Sequence, residues 1–278
     1  GSAEVSILTL AAFGVSPGVS TTAVAMTLQW PRPVLLVEAD VSKPSSVLAG
    51  WLQGSMPADS GLMGIAHNSM RQALTEQDIW DYAVDLGTGQ DAGQPSRWLL
   101  PAMSEPLAAR SMRGLWPELM MALRAVSGQD IDVIVDAGRS ENAHGREALW
   151  RDSDHLSVVV RSDLVSVAAA RAYLPAVLEA RATAGAVDTS SLLVVEDRAQ
   201  EFPSKDISKV LGLPVRGRLP QSPEAGAHFG GGAQATSWRL RSYTRAIGAA
   251  NASLADALMA RRQLIEADMP TETGGEQR

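Results

Sequence analysis

Residues 13–22 place a glycine-rich turn with several hydroxyl side chains directly after an apolar run. Residues 5–12 are apolar enough for a buried strand, and residues 23–30 have the composition of a helix. A turn between a strand and a helix aims free backbone N–H groups and the positive helix end at an anion. The sequence therefore predicts a phosphate-binding turn that contains Gly14, Val15, Ser16, Gly18, Val19, Ser20, Thr21 and Thr22.

Acidic side chains follow two other apolar runs. Residues 34–37 lead into Glu38 and Asp40, and residues 131–135 close on Asp136. Ligands of doubly wound sheets lie outside the carboxyl ends of the strands. A strand-end aspartate beside a phosphate loop commonly holds Mg²⁺ or its water. We therefore expect Asp136 to serve a metal ion, and the alternative for both aspartates is a helix N-cap or a solvated loop acid.

Apolar, β-branched runs alternate with longer helical patterns, which predicts βαβ units and the fold class α/β. Because most runs lack polar alternation, the predicted sheet is doubly wound and mostly parallel, with helices on both faces. The predicted strands are residues 5–12, 34–38, 98–100, 133–135, 156–160, 192–195 and 215–219. The predicted helices are residues 19–29, 44–52, 61–72, 105–126, 164–181, 204–211 and about 236–266. We divide the chain into a cloning scar (1–2), one domain (3–250) and a C-terminal helix with a disordered polar tail (251–278).

The composition excludes several classes of protein. The chain of 278 residues contains no cysteine, which rules out disulfides and thiolate metal sites. Its net charge of −7 argues against a protein that coats nucleic acid by bulk charge. No run of about 18 apolar residues is present, so we expect no membrane span and a cytoplasmic location.

Four features in the same order resemble the ParA/MinD family of deviant P-loop ATPases, over about residues 5–250. They are the 14–22 turn, the strand end at 38–40, the apolar run closed by Asp136, and the closing segment 211–220. The resemblance implies a SIMIBI-class P-loop NTPase fold that binds ATP or ADP with Mg²⁺. It implies that Thr21 and Asp136 serve the Mg²⁺ ion and that Asp40 is the catalytic, water-positioning residue. ATPases of this family form face-to-face homodimers around two nucleotides.

The chain departs from the family pattern within the turn itself. Val15 stands where a lysine reaches the partner's nucleotide, and Ser20 stands where a second lysine grips the phosphates. Pro17 has no N–H to offer a phosphate. Since a charge-assisted hydrogen bond contributes about 1.5–3 kcal/mol, we predict that nucleotide binding is weak or absent. Three interpretations stay open: a purely structural turn, weak or altered nucleotide binding, and a working ATPase with a substitute cation such as Lys43.

Three arginines, Arg239, Arg241 and Arg245, lie in the last helical pattern. Members of the resembled family bind DNA through C-terminal basic residues, or membranes through a C-terminal amphipathic helix. The three arginines are therefore candidates for contacts with DNA phosphates. A solvated basic face is the favoured interpretation, because the chain is acidic overall.

The resemblance and the departures together predict a positioning or assembly factor for a cell-envelope, pilus or secretion machine. Such a factor would act by binding protein partners as a homodimer, with little or no ATP hydrolysis. The atypical turn is similar to that of TadZ/CpaE-like members, which localise such machinery at the cell pole. A partner would recruit the chain to the pole or to the inner face of the membrane. The alternatives are an active ATPase of plasmid or chromosome partition and a DNA-binding protein that uses the C-terminal arginines.

Overall fold

The computed structural model describes residues 6–15, 18–45, 47, 50, 61–87, 93–102, 113–140, 145–196, 202–234 and 236–268, with side chains up to residue 260. Within these ranges, eight strands form one sheet in the order β3-β4-β2-β5-β1-β6-β7-β8. The strands are β1 (Ile7–Ala12), β2 (Val34–Glu38), β3 (Val84–Asp85), β4 (Arg97–Leu100), β5 (Asp132–Arg139), β6 (His155–Arg161), β7 (Ser190–Glu196) and β8 (Val215–Pro220). Every neighbouring pair is parallel except β3 with β4. The predicted mostly parallel sheet is confirmed.

Helices cover both faces of this sheet, as the uninterrupted apolar strands predicted. They are α1 (Val19–Leu28), α2 (Leu62–Ser69), α3 (Glu76–Tyr82), α4 (Leu115–Ser127), α5 (Glu147–Arg151), α6 (Leu164–Thr183), α7 (Ser204–Leu211), α8 (Pro223–Gly231) and α9 (Trp238–Asp268). Buried side chains of α2 to α7 form the core on one face. Those of α1, α8 and α9 form the core on the other face.

Several short elements were not predicted from the sequence. Strand β3 has two residues and carries no periodic signal. Helix α3 begins at a capping box in which Thr75 and Asp78 bond each other's backbone amides. Helices α5 and α8 were also missed, while most of the predicted helix at 44–52 and the whole tail 271–278 lie outside the described residues. The predicted domain boundary at residue 250 falls inside α9, where Leu254 is buried in the core.

The sheet order brings the predicted site residues to one edge. Strand β5 pairs with both β1 and β2, so the carboxyl ends of these three strands lie side by side. Asp136 is level with Leu10 of β1 and with Glu38 of β2. The expectation that Asp136 closes its strand is wrong, because β5 continues to Arg139, which pairs with Ala12 after a register shift that leaves one extra residue in β5. Asp136 is therefore held within the sheet rather than on a loop.

Candidate functional site

The start of the turn between β1 and α1 is packed against α6. The ring of Phe13 stacks on Tyr173 with 6.3 Å between centroids. Gly14 has a φ of 90° and no space for a side chain, because a Cβ there would lie 2.5 Å from the Cβ of Ala169. These contacts with α6 fix the position of the backbone where it leaves β1.

The end of the turn leads into α1 through Gly18, which adopts a left-handed conformation with φ 91°. Val15 is half-buried and Val19 is buried, while residues 16–17 lie outside the described residues. The amide of Thr22 donates to the Gly18 carbonyl at 3.0 Å, which closes the first turn of the helix. Because the amides before it have no acceptor within a helix, the start of α1 can receive an anion through its backbone.

Thr21 and Thr22, in the first turn of α1, lie beside α8 and α9, which pack on the same face of the sheet. The hydroxyl of Thr22 donates to the Gly18 carbonyl at 3.0 Å and lies 3.2 Å from the hydroxyl of Tyr243 in α9. Thr21 is half-buried and lies close to Gly230 of α8. A Cβ added to Gly230 would be 3.6 Å from the Oγ1 of Thr21. Helices α8 and α9 therefore hold the start of α1 in place.

Three buried acids meet where β1, β2 and β5 run side by side. Glu38, Asp40 and Asp136 are 4%, 8% and 2% exposed. The hydroxyl of Ser20 lies beside the carboxylate of Asp136 and acts to lower its pKa, and the amide of Gly138 donates to its Oδ1 at 2.9 Å. The structure thus places Ser20, predicted to face a phosphate, next to Asp136, predicted to serve a metal ion.

Asp40 is held by its own loop and lies against β5. The amide and the hydroxyl of Ser42 both donate to its Oδ1, at 3.0 Å and 2.7 Å. A Cβ on Gly138 would lie 2.4 Å from the Cγ of Asp40, and Gly138 has a φ of 58°. Glycine is required there because it alone tolerates both the close approach and this backbone conformation.

Burial raises the pKa of two of these acids. The pKa of Glu38 rises to about 7, mainly because burial penalises its charged form, and the charge of Asp136 adds to the rise. The pKa of Asp136 rises to about 6 for the same main reason, with the charge of Asp40 adding to it. The charge of Lys43 acts in the opposite direction on both groups. Glu38 and Asp136 therefore keep their protons to a higher pH than exposed carboxyl groups do.

An arginine that belongs to none of the sequence motifs lies beside these acids. Arg146 comes just before α5, is 5% exposed, and donates from a terminal nitrogen to the carbonyl of Ala137. Burial lowers the pKa of Arg146, while the charges of Asp40 and Asp136 raise it. Its Nε has no hydrogen-bond partner among the described residues. No sequence signal could have found Arg146, because it belongs to none of the motifs.

The turn has the backbone groups that bind a phosphate but not the charged side chains. The 14–22 turn contains no lysine or arginine, and Lys43 is exposed and acts on the acids only through its charge. The backbone at the start of α1 fits a phosphate. The side chains cannot replace the charge-assisted contact that a lysine makes with a phosphate, because Ser20 carries no charge and lies beside the acid Asp136.

The three C-terminal arginines are exposed on α9 but do not form one surface. Arg239 donates to Glu224 of α8 at 3.0 Å and lies over the ring of Trp238, 5.4 Å from its centroid. Arg241 and Arg245 are one helical turn apart and share a face of α9. The candidate DNA surface is therefore reduced to two side chains.

We expect weak DNA binding at physiological salt, because two arginines offer few phosphate contacts and the chain has a net charge of −7. Fluorescence anisotropy with a labelled duplex should give a Kd of about 10⁻⁴ to 10⁻⁶ M or weaker. The double variant Arg241→Glu/Arg245→Glu should bind almost as the native chain does, with Arg239→Glu as the matched control. Submicromolar binding with a steep salt dependence that the double variant loses would contradict this expectation.

Among the described residues, no helix is both long and apolar enough to cross a bilayer. The same residues contain no group of three His, Cys, Asp or Glu side chains arranged to hold a metal ion. The role of Asp136 and Thr21 toward Mg²⁺ therefore stays a prediction from resemblance.

No protein-family model and no curated protein sequence matches the chain. Solved structures do match it along most of its length. An ATP complex of a Cyanothece McdA variant is 15% identical, with 94% of this chain and 98% of that chain covered and a TM-score of 0.67. A ParA family ATPase from Chlorobium tepidum is 17% identical, with 87% and 98% covered and a TM-score of 0.62. The MinC:MinD cell division protein complex from Aquifex aeolicus is 16% identical, with 98% and 100% covered and a TM-score of 0.53.

At these identities the likeness establishes the fold and nothing finer. The chain has a ParA/MinD-like, P-loop NTPase-like fold, with an eight-stranded, mostly parallel sheet between two layers of helices. This confirms the fold that the motifs predicted.

Proposed function

We propose that the chain is a positioning or assembly factor that binds protein partners and hydrolyses ATP slowly or not at all. One observation carries this proposal. Ser20, which stands in the place of the phosphate-gripping lysine, is buried and lies beside Asp136 in a cluster of three acids. A phosphate at the start of α1 would meet these carboxylates with no cation from the turn between them. Charge repulsion in a buried site then keeps ATP or ADP with Mg²⁺ weakly bound or absent.

The proposal includes a homodimer that forms without nucleotide. Val15 is half-buried at the place where a lysine would make a dimer depend on the partner's phosphates. Leu164 and Val165, at the start of α6, are exposed, and the same helix packs on Gly14. Burial of such apolar surface contributes about 25 cal/mol per Å². An interface of this kind would be indifferent to ATP.

The similarity of the turn to TadZ/CpaE-like proteins supports a pilus, secretion or other cell-envelope machine as the assembly. The Aquifex aeolicus MinC:MinD complex shows that a protein of this fold assembles with a partner of another kind. By analogy, a partner protein would bring this chain to the pole or to the inner face of the membrane.

An active ATPase of plasmid or chromosome partition is the second candidate. The observation that favours it is Asp40, the residue implied for positioning water, which is buried and held by Ser42 at the same edge as the start of α1. This candidate function requires a cation from outside the 14–22 turn to bind the phosphates in place of the missing lysine.

Three measurements test the proposal: calorimetric titration gives the affinity for ATP–Mg²⁺, a hydrolysis assay gives the turnover, and light scattering gives the molar mass. We expect turnover near background, and the same molar mass with and without nucleotide. The matched positive control is Val19→Gly/Ser20→Lys, which restores the lysine and should raise ATP affinity at least about tenfold, the equivalent of 1.4 kcal/mol. Dimerisation only with ATP, and steady turnover that Asp40→Ala abolishes, would favour the ATPase instead.

A further inference from the structure

A buried positive charge reaches the acid cluster from the segment that follows β5. Arg146 donates to the carbonyl of Ala137. Ala137 directly follows Asp136 and directly precedes Gly138, which lies against Asp40. The guanidinium is therefore anchored within one residue of both aspartates. Its charge interacts with both of them.

The hydrogen bonds of Arg146 alone do not satisfy its buried guanidinium. Arg146 is 5% exposed, has the ring of Trp116 at 6.0 Å on one side, and leaves its Nε without a partner among the described residues. A buried charge is costly unless an opposite charge or hydrogen bonds compensate it. Asp40 and Asp136 are the anions whose charges stabilise the ionised guanidinium. Attraction to these aspartates thus offsets part of the cost of burying the arginine.

We propose that Arg146 is the internal counter-ion of Asp40 and Asp136, a role left open by the absence of a lysine in the 14–22 turn. Arg146 is a positioning residue: its charge holds the two aspartates together from the segment that follows β5. The site therefore stays assembled without a bound nucleotide. This deepens the proposed function and rests on it for the claim that no nucleotide is needed.

A double-mutant cycle on the full chain tests this inference. Arg146→Met removes the charge at nearly constant side-chain length and should lower the Tm on the order of 10 °C, as expected for breaking a buried pair. Arg146→Lys keeps the charge and should recover part of this loss. Ser20→Lys, added to Arg146→Met, places a cation beside Asp136 from the turn and should recover at least about half of the loss. In the native background the same Ser20→Lys should give a clearly smaller increase, because Arg146 already compensates part of the charge.

The matched control is Arg181, a fully buried arginine of α6 that bonds Ser190 at the start of β7, away from the acid cluster. Ser20→Lys should not rescue Arg181→Met. Equal effects of Ser20→Lys in the native and Arg146→Met backgrounds, or equal rescue of Arg181→Met, would overturn the inference.

Soluble yield replaces the Tm as the measurement if Arg146→Met alone does not fold. Recovery of soluble, cooperatively unfolding protein in the Arg146→Met/Ser20→Lys variant supports the counter-ion role. An insoluble double variant contradicts it. The cycle is measured without nucleotide, so its failure is distinct from failure of the proposed function, which ATP titration of the native chain decides.

Discussion

Replacing Glu38 with glutamine should raise the free energy of unfolding at pH 8 by up to about 3 kcal/mol. The pKa of Glu38 rises from 4.5 to about 7, chiefly because the side chain is buried. At pH 8 the native chain must bury a negative charge beside Asp136. Glutamine removes that charge and still accepts hydrogen bonds from the amide of Ala102 and from Ser45, which both bond Glu38.

The sign of the pH dependence follows from proton binding. Between pH 4.5 and about 7 the native state keeps the proton of Glu38 while the unfolded state releases it. The stability linked to this group is therefore fully present below pH 4.5 and is lost as the pH rises through about 7. Asp136, whose pKa rises to about 6, changes stability in the same direction over a lower pH range.

Urea unfolding of the native chain and of Glu38→Gln at pH 5 and pH 8 measures the effect. The two proteins should differ much less at pH 5 than at pH 8. Glu179→Gln, at an exposed position of α6, is the matched control and should show no such pH dependence. An equal difference between native and Glu38→Gln proteins at both pH values would refute the argument that the buried charge destabilises this site.

Arg181→Met should lower the free energy of unfolding by at least about 3 kcal/mol. Arg181 is 0% exposed and crosses the amino-terminal end of the sheet. It donates to the carbonyl and hydroxyl of Thr189 at 3.1 Å and 2.7 Å, to the hydroxyl of Ser153 at 3.0 Å, and to the carbonyl of Trp150. Methionine fills a similar volume but leaves these acceptors buried and unpaired, which outweighs the gain from no longer burying a charge.

Chemical denaturation at constant pH checks this value, with Arg171→Met on the exposed side of the same helix as the control. The control should change stability by no more than about 0.5 kcal/mol. A loss below about 1 kcal/mol for Arg181→Met, at an unchanged denaturant slope, would mean that water or nearby groups replace the lost bonds.

The two predictions concern opposite edges of one sheet. At the amino-terminal edge, Arg181 has its donors paired with backbone and hydroxyl acceptors, and it stabilises the ends of the strands. At the carboxyl edge, Glu38 and Asp136 are buried with raised pKa values, at a cost in stability near neutral pH. Groups that lower the stability of the folded chain in this way are more typical of functional sites than of structural ones. This asymmetry supports placing the function of the chain at the carboxyl edge.

The sequence by itself determined the fold class, the positions of the long elements and the place of the candidate site. Uninterrupted apolar runs predicted strands covered on both faces, because such runs cannot lie at a solvated surface. The strand, turn and helix around Gly14 and Gly18 predicted an anion-binding edge, because the geometry of that turn is local. Elements with weak periodicity, such as β3 and α5, were missed because tertiary packing rather than local pattern stabilises them.

Only the tertiary structure determines which polar and charged side chains lie next to each other. Ser20 and Asp136 are far apart in the chain, and nothing in their spacing shows that their side chains lie next to each other. Arg146 belongs to no motif, and it reaches the acids because the segment after β5 folds back onto Ala137. The raised pKa values of Glu38 and Asp136 likewise arise from burial, which depends on the packing of distant segments. A sequence can thus place titratable groups at one edge of a sheet, but their charge states and partners depend on through-space distances that only the folded chain defines.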